Sequence, residues 1–271
     1  MSGYATHLAD EFDRVRIEIG SGLVEIVPGD ESRAELEVDS GEDGDVRFEV
    51  VDGELIVDGP RNVRRGPEIQ VRIQTPKTLD ARVKTGSGDI TGRSALGEVR
   101  LSTGSGDIQL DRVEGSLGVG TGSGDVRIGH AAGDVRARTG SGGVNIGEAT
   151  GAAALSTGSG DVRVGDAHGR TTIKVGSGDI TIDRVLDHLI ATAGSGDVRA
   201  GLADGPSVQV MTGRGDVHVG VPDGLPAYLD LKTVTGQIRC DLEPADKPAE
   251  DERSILLRAR TTSGDITVIR A

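Results

Sequence analysis

The hexapeptide Thr85-Gly86-Ser87-Gly88-Asp89-Ile90 decides the fold of this chain, because its pattern returns at a constant interval. The Gly-Ser-Gly tripeptide begins at seven positions, each 18 residues after the one before: Gly86, Gly104, Gly122, Gly140, Gly158, Gly176 and Gly194. Looser versions follow at Gly213, Gly236 and Ser263. A fixed period of this length is typical of solenoid proteins, in which each repeat is one structural unit.

Each 18-residue repeat divides into two arms of about nine residues, and each arm contains an alternating segment. In Val126-Arg127-Ile128 the two apolar residues point to one face of a strand and the arginine to the other. Glycine is abundant, with 43 copies, as expected for repeated tight corners. The sequence predicts an all-β protein, a parallel β-helix or β-solenoid with about 18 residues per coil and two main sheets.

The period also predicts how the chain is organised. We expect a single β-solenoid domain over residues 1–271, in which 85–200 form the regular repeats. Residues 1–84 alternate but are off-period, which favours irregular N-terminal coils that cap the stack, with Phe12 and Phe48 closing its core. Residues 201–271 are expected to form irregular C-terminal coils, with an acidic loop at 241–252 before a final coil at 254–270. Cys240 falls at an inward repeat position, which predicts a buried thiol.

Composition narrows the possible partners. The chain of 271 residues carries 44 acidic and 30 basic side chains, a net charge of −14. Such a surface repels nucleic acid and anionic lipid, because both require clusters of Lys and Arg. No apolar stretch approaches the length of about 20 residues needed for membrane insertion. The start of the chain lacks the features of a signal peptide, so we expect a cytoplasmic protein.

The repeat resembles a bacterial family of β-strand-repeat proteins known as putative adhesins, a domain of unknown function. The residues that carry the resemblance are Thr-Gly-Ser-Gly-Asp followed by Ile or Val, at 85–90, 103–108, 121–126 and 157–162. The lead-in segments 71–76 and 80–84 also look like that family. The resemblance implies a parallel β-helix and an adhesin-like surface role if the protein is exported. It implies no catalytic residue that could be carried over.

The most regular polar feature is an aspartate at the corner of successive coils. The members of this Asp ladder are Asp89, Asp107, Asp125, Asp161, Asp179, Asp197 and Asp216, and Gly143 interrupts it. Stacked carboxylates repel, so something must offset the repulsion. The preferred interpretation is that each carboxylate caps amides of its own corner, with Arg127, Arg163 and Arg199 as countercharges. The alternative is calcium bound between coils, although the ligand spacing of known calcium repeats is not matched.

Other reactive side chains form no recognisable catalytic constellation. The corner serines lie in no nucleophile-elbow pattern, and the five histidines have no metal-ligand spacing. Arg214-Gly215-Asp216 spells an integrin-binding tripeptide but falls in repeat register, which favours a drifted corner. We therefore assign no catalytic, cofactor-binding or metal-binding residues, expect no cofactor, and predict that the protein is not an enzyme.

What remains is a rigid polar surface. The leading hypothesis is a non-enzymatic scaffold or protein-interaction module with an unidentified protein partner, existing as a monomer or weak homo-oligomer. The alternatives are a self-assembling filament, because solenoid ends are sheet edges, and an adhesin-like surface protein if it is exported.

Overall fold

The computed structural model describes residues 3–40, 46–59, 68–243 and 253–271, and every regular element in these ranges is a β-strand. The chain forms two compact units. Unit 1 comprises residues 1–133 and 137–142, and unit 2 comprises residues 134–136 and 143–271. The prediction of one domain over 1–271 stays a prediction.

Unit 1 contains twelve described strands in two ladders. Their bounds are β1 Gly3–Asp10, β2 Arg14–Ile19, β3 Gly22–Pro28, β4 Arg33–Ser40, β5 Arg47–Val51, β6 Glu54–Asp58, β7 Ile69–Thr75, β8 Leu79–Thr85, β9 Asp89–Thr103, β10 Ile108–Val113, β11 Leu117–Thr121 and β12 Val126–Ala131. One ladder runs β1-β4-β7-β3-β9-β10-β12, and the other runs β5-β6-β2-β8-β9-β11. The 15-residue β9 belongs to both ladders because its two halves pair with different strands.

The first strands of unit 1 differ from the later ones in direction. Pairings β1–β4, β4–β7 and β5–β6 are antiparallel, whereas β3–β7, β2–β8 and the pairings that follow are parallel. This confirms the irregular N-terminal coils expected over 1–84. Phe12 is buried there, while Phe48 on β5 is only half-buried.

Unit 2 continues the repeat with strands of three to nine residues. They are β14 Val144–Ala149, β15 Ala153–Ser159, β16 Val162–Ala167, β17 Thr171–Ser177, β18 Ile180–Val185, β19 Leu189–Ser195, β20 Val198–Ala203, β21 Ser207–Arg214, β22 Val217–Val221, β23 Ala227–Thr235, β24 Ile238–Cys240, β25 Ile255–Ser263 and β26 Ile266–Arg270. The remaining strand, β13 (Val135–Thr139), has residues in each unit. Parallel neighbours such as Val162 and Ile180 are 18 residues apart, which confirms the solenoid repeat.

The last coils of unit 2 are not stacked in chain order. β25 pairs with β21 on one side and β23 on the other, and β26 pairs in the same way with β22 and β24. The coil at 254–270 was predicted to be the final one, but it lies between its two predecessors. The coil formed by β23 and β24 therefore occupies the end of the unit.

The core follows the predicted alternation of inward and outward positions. Val162 and Val164 on β16 expose at most 1% of their surface, as do Ile180 and Ile182 on β18. Burial of apolar surface contributes about 25 cal/mol per Å², and here it comes almost entirely from aliphatic side chains. The inward columns of valine, isoleucine and leucine thus replace the aromatic core of an ordinary globular protein.

Corners close in different ways in the two units. In unit 1 the buried Thr121 accepts a hydrogen bond at Oγ1 from the N–H of Gly124, at 3.0 Å. A Cβ atom on Gly124 would lie 1.9 Å from the carbonyl oxygen of Gly106 in the preceding coil, so only glycine fits. In unit 2 the equivalent Gly178 has a φ of 140°, and its N–H donates to the carbonyl of Ser195 instead.

Cys240 corrects the prediction of a buried thiol, because its side chain is exposed. Its register partner Val268 on β26 is completely buried, so the column position was inferred correctly. The thiol is open because β24 pairs with a single strand among the described residues and no further coil covers it. The acidic loop predicted at 241–252 lies largely outside the described residues, which resume at 253.

Candidate functional site on the outer sheet faces

The Asp ladder is held together by hydrogen bonds between coils. In unit 1 the backbone N–H of Asp107 donates to Oδ1 of Asp89, and the N–H of Asp125 donates to Oδ1 of Asp107, each at 2.8 Å. In unit 2 the same bond joins each ladder residue to the next, in the order Asp161, Asp179, Asp197, Asp216, Asp265 and Gln237. Each carboxylate therefore caps the neighbouring coil rather than its own corner, which corrects the capping pattern that was predicted.

Two of the three predicted countercharges are in place. Arg127 donates to Asp125 at 2.7 Å, and Arg163 donates to Asp161 at 3.0 Å. Arg199 makes no ion pair with a described carboxylate. Hydrogen bonding and these guanidinium groups offset the repulsion between stacked carboxylates. Across the described ranges, no group of three His, Cys, Asp or Glu side chains has an arrangement suited to a metal ion, and calcium binding stays an untested alternative.

The other polar residues singled out in the sequence are corner or surface residues. Asp216 of the Arg-Gly-Asp tripeptide is engaged in the ladder through the N–H of Asp265. Nε2 of His168 lies 3.2 Å from Oε1 of Glu148, and Nδ1 of His188 lies 2.6 Å from Oδ1 of Asp187. The corner serines are exposed or, for one of them, half-exposed: Ser87, Ser105, Ser123, Ser141, Ser159, Ser177 and Ser195.

A row of three arginines on the outer face of unit 1 behaves differently. Parallel pairing of β2, β8 and β9 places Arg16 beside Arg82 and Arg82 beside Arg100, one per strand. We call this set the arginine row. Neighbouring strands lie about 4.8 Å apart, so the three side chains leave the sheet at that spacing. Among the described carboxylates, none forms an ion pair with any member of the row.

Two members of the arginine row, Arg82 and Arg100, line an open groove of about 280 Å³. The lining also includes Arg14, which is in register with Glu54 and Asp80 on the neighbouring strands. Glu98 and Ser116 complete its polar part. One of these carboxylates already has a hydrogen-bond donor, because Oδ1 of Asp80 accepts a hydrogen bond from the backbone N–H of Glu98 at 2.8 Å. Of the guanidinium groups in the groove, Arg14 pairs with Asp13, whereas Arg82 and Arg100 form no ion pair with a described carboxylate of unit 1.

The sequence contained only part of the signal for this row. Arg82 and Arg100 are 18 residues apart and could have been stacked by the period alone. Arg16 lies in the off-period N-terminal segment, and its place beside Arg82 depends on β2 entering the ladder next to β8. No residue spacing indicates that pairing.

No helix of membrane-spanning length and apolarity occurs in the part of the chain that the structure describes.

No curated protein matches the sequence. Among solved structures, the chain is similar to a putative adhesin from Parabacteroides distasonis, with 14% identity, a TM-score of 0.50, and coverage of 98% of this chain and 97% of that one. It is also similar to a putative adhesin from Parabacteroides merdae, with 13% identity, a TM-score of 0.49, and coverage of 98% and 95%.

The first of these likenesses supports the all-β repeat fold, and at such low identity it shows the fold alone. The family model described as Toastrack DUF4097 matches residues 16–203, well over half of the chain. The matched region includes the regular repeats as well as the strands that carry the arginine row. The expected resemblance is therefore confirmed, and the chain belongs to the Toastrack DUF4097 family.

Proposed function

We propose that this protein is a non-enzymatic interaction module that binds an acidic segment of a protein partner through the arginine row. The observation that carries the proposal is the stacking of Arg16, Arg82 and Arg100 without a carboxylate partner among the described residues. In a protein with a net charge of −14, three arginines that are neighbours on adjacent strands and form no ion pair with a described carboxylate make a local concentration of positive charge.

Electrostatics supports an acidic ligand at this place. Like charges about 5 Å apart repel by roughly 1 kcal/mol in water, and more where solvent is partly excluded. A bound carboxylate removes that repulsion, and the planar guanidinium fork can hold it with two parallel hydrogen bonds. Arg127 and Arg163 occupy comparable outward positions, but each already forms an ion pair with a carboxylate, Asp125 and Asp161 respectively.

The test compares two double variants with equal loss of charge. Arg82→Gln with Arg100→Gln removes most of the row, and Arg127→Gln with Arg163→Gln is the matched control. Binding of a fluorescent poly-glutamate peptide is measured by anisotropy at several salt concentrations. We expect the first variant to weaken binding by about tenfold or more, because charge-assisted hydrogen bonds contribute roughly 1.5–3 kcal/mol each. Equal behaviour of both variants, or no binding by the wild type, would refute the proposal.

The same pair of variants identifies the natural partner. Affinity capture from lysate of the source organism, followed by mass spectrometry, should recover a protein that is lost with the Arg82/Arg100 variant and kept with the Arg127/Arg163 variant. Recovery that is identical with both variants would place the contact elsewhere on the surface.

We also propose that the protein acts in the cytoplasm. The exposed thiol of Cys240 supports this location, because free surface thiols persist in reducing compartments and tend to pair in oxidising ones. Cell fractionation decides the point. Recovery of the protein at the cell surface would contradict this location and favour the adhesin-like alternative.

A further inference from the structure

The end of unit 2 is an open sheet edge. Among the described strands, β23 pairs only with β25, and β24 pairs only with β26. Inward positions that are buried in the adjacent coil of β25 and β26 are exposed in the coil of β23 and β24. Leu229 is 39% exposed while its register partner Leu257 is fully buried, and Ile238 is 46% exposed while Ile266 is fully buried.

Outward residues of the same edge are apolar as well. Tyr228 is 46% exposed and Val234 is 70% exposed. Natural proteins usually protect an exposed edge strand with charge, proline, a bulge or a covering segment, because it can pair with another chain. The nine residues of β23 contain only two charged residues, Asp230 and Lys232.

The two charges are unevenly satisfied within the chain. Asp230 accepts hydrogen bonds from Arg258 at 2.9 Å and Arg260 at 3.0 Å. Lys232 lies in register with Arg260, a like charge, and no described carboxylate forms an ion pair with it. The edge therefore presents a cation, Lys232, that forms no ion pair with a described carboxylate, and an anion, Asp230, whose carboxylate is held by two guanidinium groups.

We propose that a second copy of this chain covers the edge, through antiparallel pairing of β23 with β23 about a twofold axis at Leu231. In this register each Asp230 lies opposite Lys232 of the second copy, and each Tyr228 lies opposite Val234. Inward residues meet inward residues, because Leu231 faces its own copy and Leu229 faces Thr233. Opposite-charge and aromatic–β-branched pairs are both stabilising cross-strand neighbours.

Charge selects this register over its neighbours. Antiparallel pairing about a twofold axis keeps the inward and outward faces aligned only when the axis passes through a residue. An axis at Asp230 would place the two Asp230 side chains opposite each other, and an axis at Lys232 would do the same with two lysines. An axis at Leu231 avoids both repulsions and supplies the anion that Lys232 lacks. Such an interface is isologous and closes after two copies.

The first experiment measures self-association by sedimentation over a wide range of protein concentration. We expect the wild type to be in reversible monomer–dimer equilibrium. Lys232→Glu should raise the dissociation constant by about tenfold, because two attractive pairs become repulsive. The same change gives Arg260 an acidic neighbour within the chain, so the fold is not weakened. Lys174→Glu is the matched control, since Lys174 on β17 lies in the same outward column, four strands away from β23, and should not alter association.

A second experiment tests the register. Leu231→Cys in a Cys240→Ser background should form a disulfide-linked dimer on mild oxidation, because opposed Cα atoms in antiparallel strands lie about 4.5–5.5 Å apart. Leu229→Cys in the same background should not, because its two thiols would be about 13 Å apart along the strands. The proposal is overturned by a wild-type mass that stays monomeric at all concentrations, by open-ended growth to larger species, or by cross-linking at 229 but not at 231.

Discussion

At the scale of single residues, the corners depend on backbone atoms that almost touch. Successive corners of unit 1 stack so closely that a side chain on Gly124 would collide with the carbonyl oxygen of Gly106. Not every glycine is under this constraint. Gly120, on β11, has nothing within 4 Å of the place a Cβ atom would occupy. At position 124 a side chain would not fit between the coils, whereas at position 120 there is room for one.

This contrast gives the first expected outcome. Gly124→Ala should lower the free energy of unfolding by about 1–3 kcal/mol, because overpacking forces the two coils apart. Gly120→Ala should be neutral or slightly stabilising, since alanine reduces the conformational entropy of the unfolded chain. Chemical denaturation of both variants measures the difference. Equal destabilisation would mean that backbone conformation, and not the close approach of coils, sets the need for glycine.

Residue-scale predictions from sequence succeeded where one rule determines the outcome. Alternation with period two placed Val162 and Val164 inside because no other strand geometry buries both. The partner of each ladder carboxylate could not be obtained this way. An Asp at a corner can accept an N–H from its own turn or from the next coil, and both choices satisfy the same local pattern. Only the observed stacking of Asp107 on Asp89 distinguishes them.

At the scale of strands, the unusual element is the coil of β25 and β26. It is made last but lies inside the ladders of unit 2, with strands on both sides. Its predecessor, the coil of β23 and β24, has only one neighbour among the described strands. The order of the strands in space therefore differs from their order along the chain. Protection of backbone amides from hydrogen exchange should follow the order in space.

Hydrogen exchange should reveal that order. We expect amides of β25 to exchange more slowly than those of β23, although β25 lies closer to the C-terminus, because interior strands open only with larger parts of the structure. Strand β21, also flanked on both sides, provides the reference for slow exchange. Slower exchange in β23 than in β25 at protein concentrations that exclude association would contradict the observed strand order.

The pairing of β23 with β25 also has a consequence for titration. Hydrogen bonds from Arg260 and Arg258 lower the pKa of Asp230 below its ordinary value. The ionised carboxylate therefore stabilises the fold at neutral pH, and this contribution is lost as pH falls below about 4 and through the lowered pKa.

An NMR titration checks this result. Arg260→Gln should raise the pKa of Asp230 toward its ordinary value, because the largest cause of the shift is removed. Arg239→Gln is the control, since Arg239 lies at the same end but donates to Gln237. A pKa of Asp230 that does not respond to Arg260→Gln would show that the guanidinium contact is not maintained in solution.

Strand-scale prediction failed for Cys240 for a definite physical reason. Its column position was correct, yet burial requires a coil on each side, and the order of coils depends on which edges meet during folding. The arginine row was missed for a related reason. Residues 16 and 82 become neighbours only because an off-period strand joins the ladder. Periodicity predicts the contents of each column, whereas the sequence of strands across a ladder is a long-range outcome.

At the scale of the whole molecule, the chain combines high negative charge with a core of small aliphatic side chains. The net charge of the chain is −14, and only 1% of its residues are aromatic. Self-repulsion of that charge works against the compact state, and dissolved salt screens it over about 10 Å at 0.1 M ionic strength. The fold class and repeat length were predictable from the 18-residue period and the alternation within each arm, because both constrain every coil alike.

Thermal unfolding at different salt concentrations tests the balance. At pH 7, raising sodium chloride from about 0.02 M to 0.3 M should increase the melting temperature by roughly 2–5 °C. Near the sequence isoelectric point of about 4.8 the same addition should have little effect, because the net charge is then small. A melting temperature that falls with salt at pH 7 would mean that specific ion pairs outweigh general repulsion.

The interior position of β25 and β26 also bears on how the protein is made. A ribosome releases the segment of β23 and β24 before it has synthesised the coil that must lie beneath it. During that interval the edge of β21 and β22 is vacant, and β23 is the nearest strand able to pair with it in parallel. A mature fold requires that this early pairing be avoided or undone, so that the last-synthesised coil can enter. A chain whose translation stops shortly before residue 255 should therefore pair β23 directly with β21, the position that β25 occupies in the complete fold.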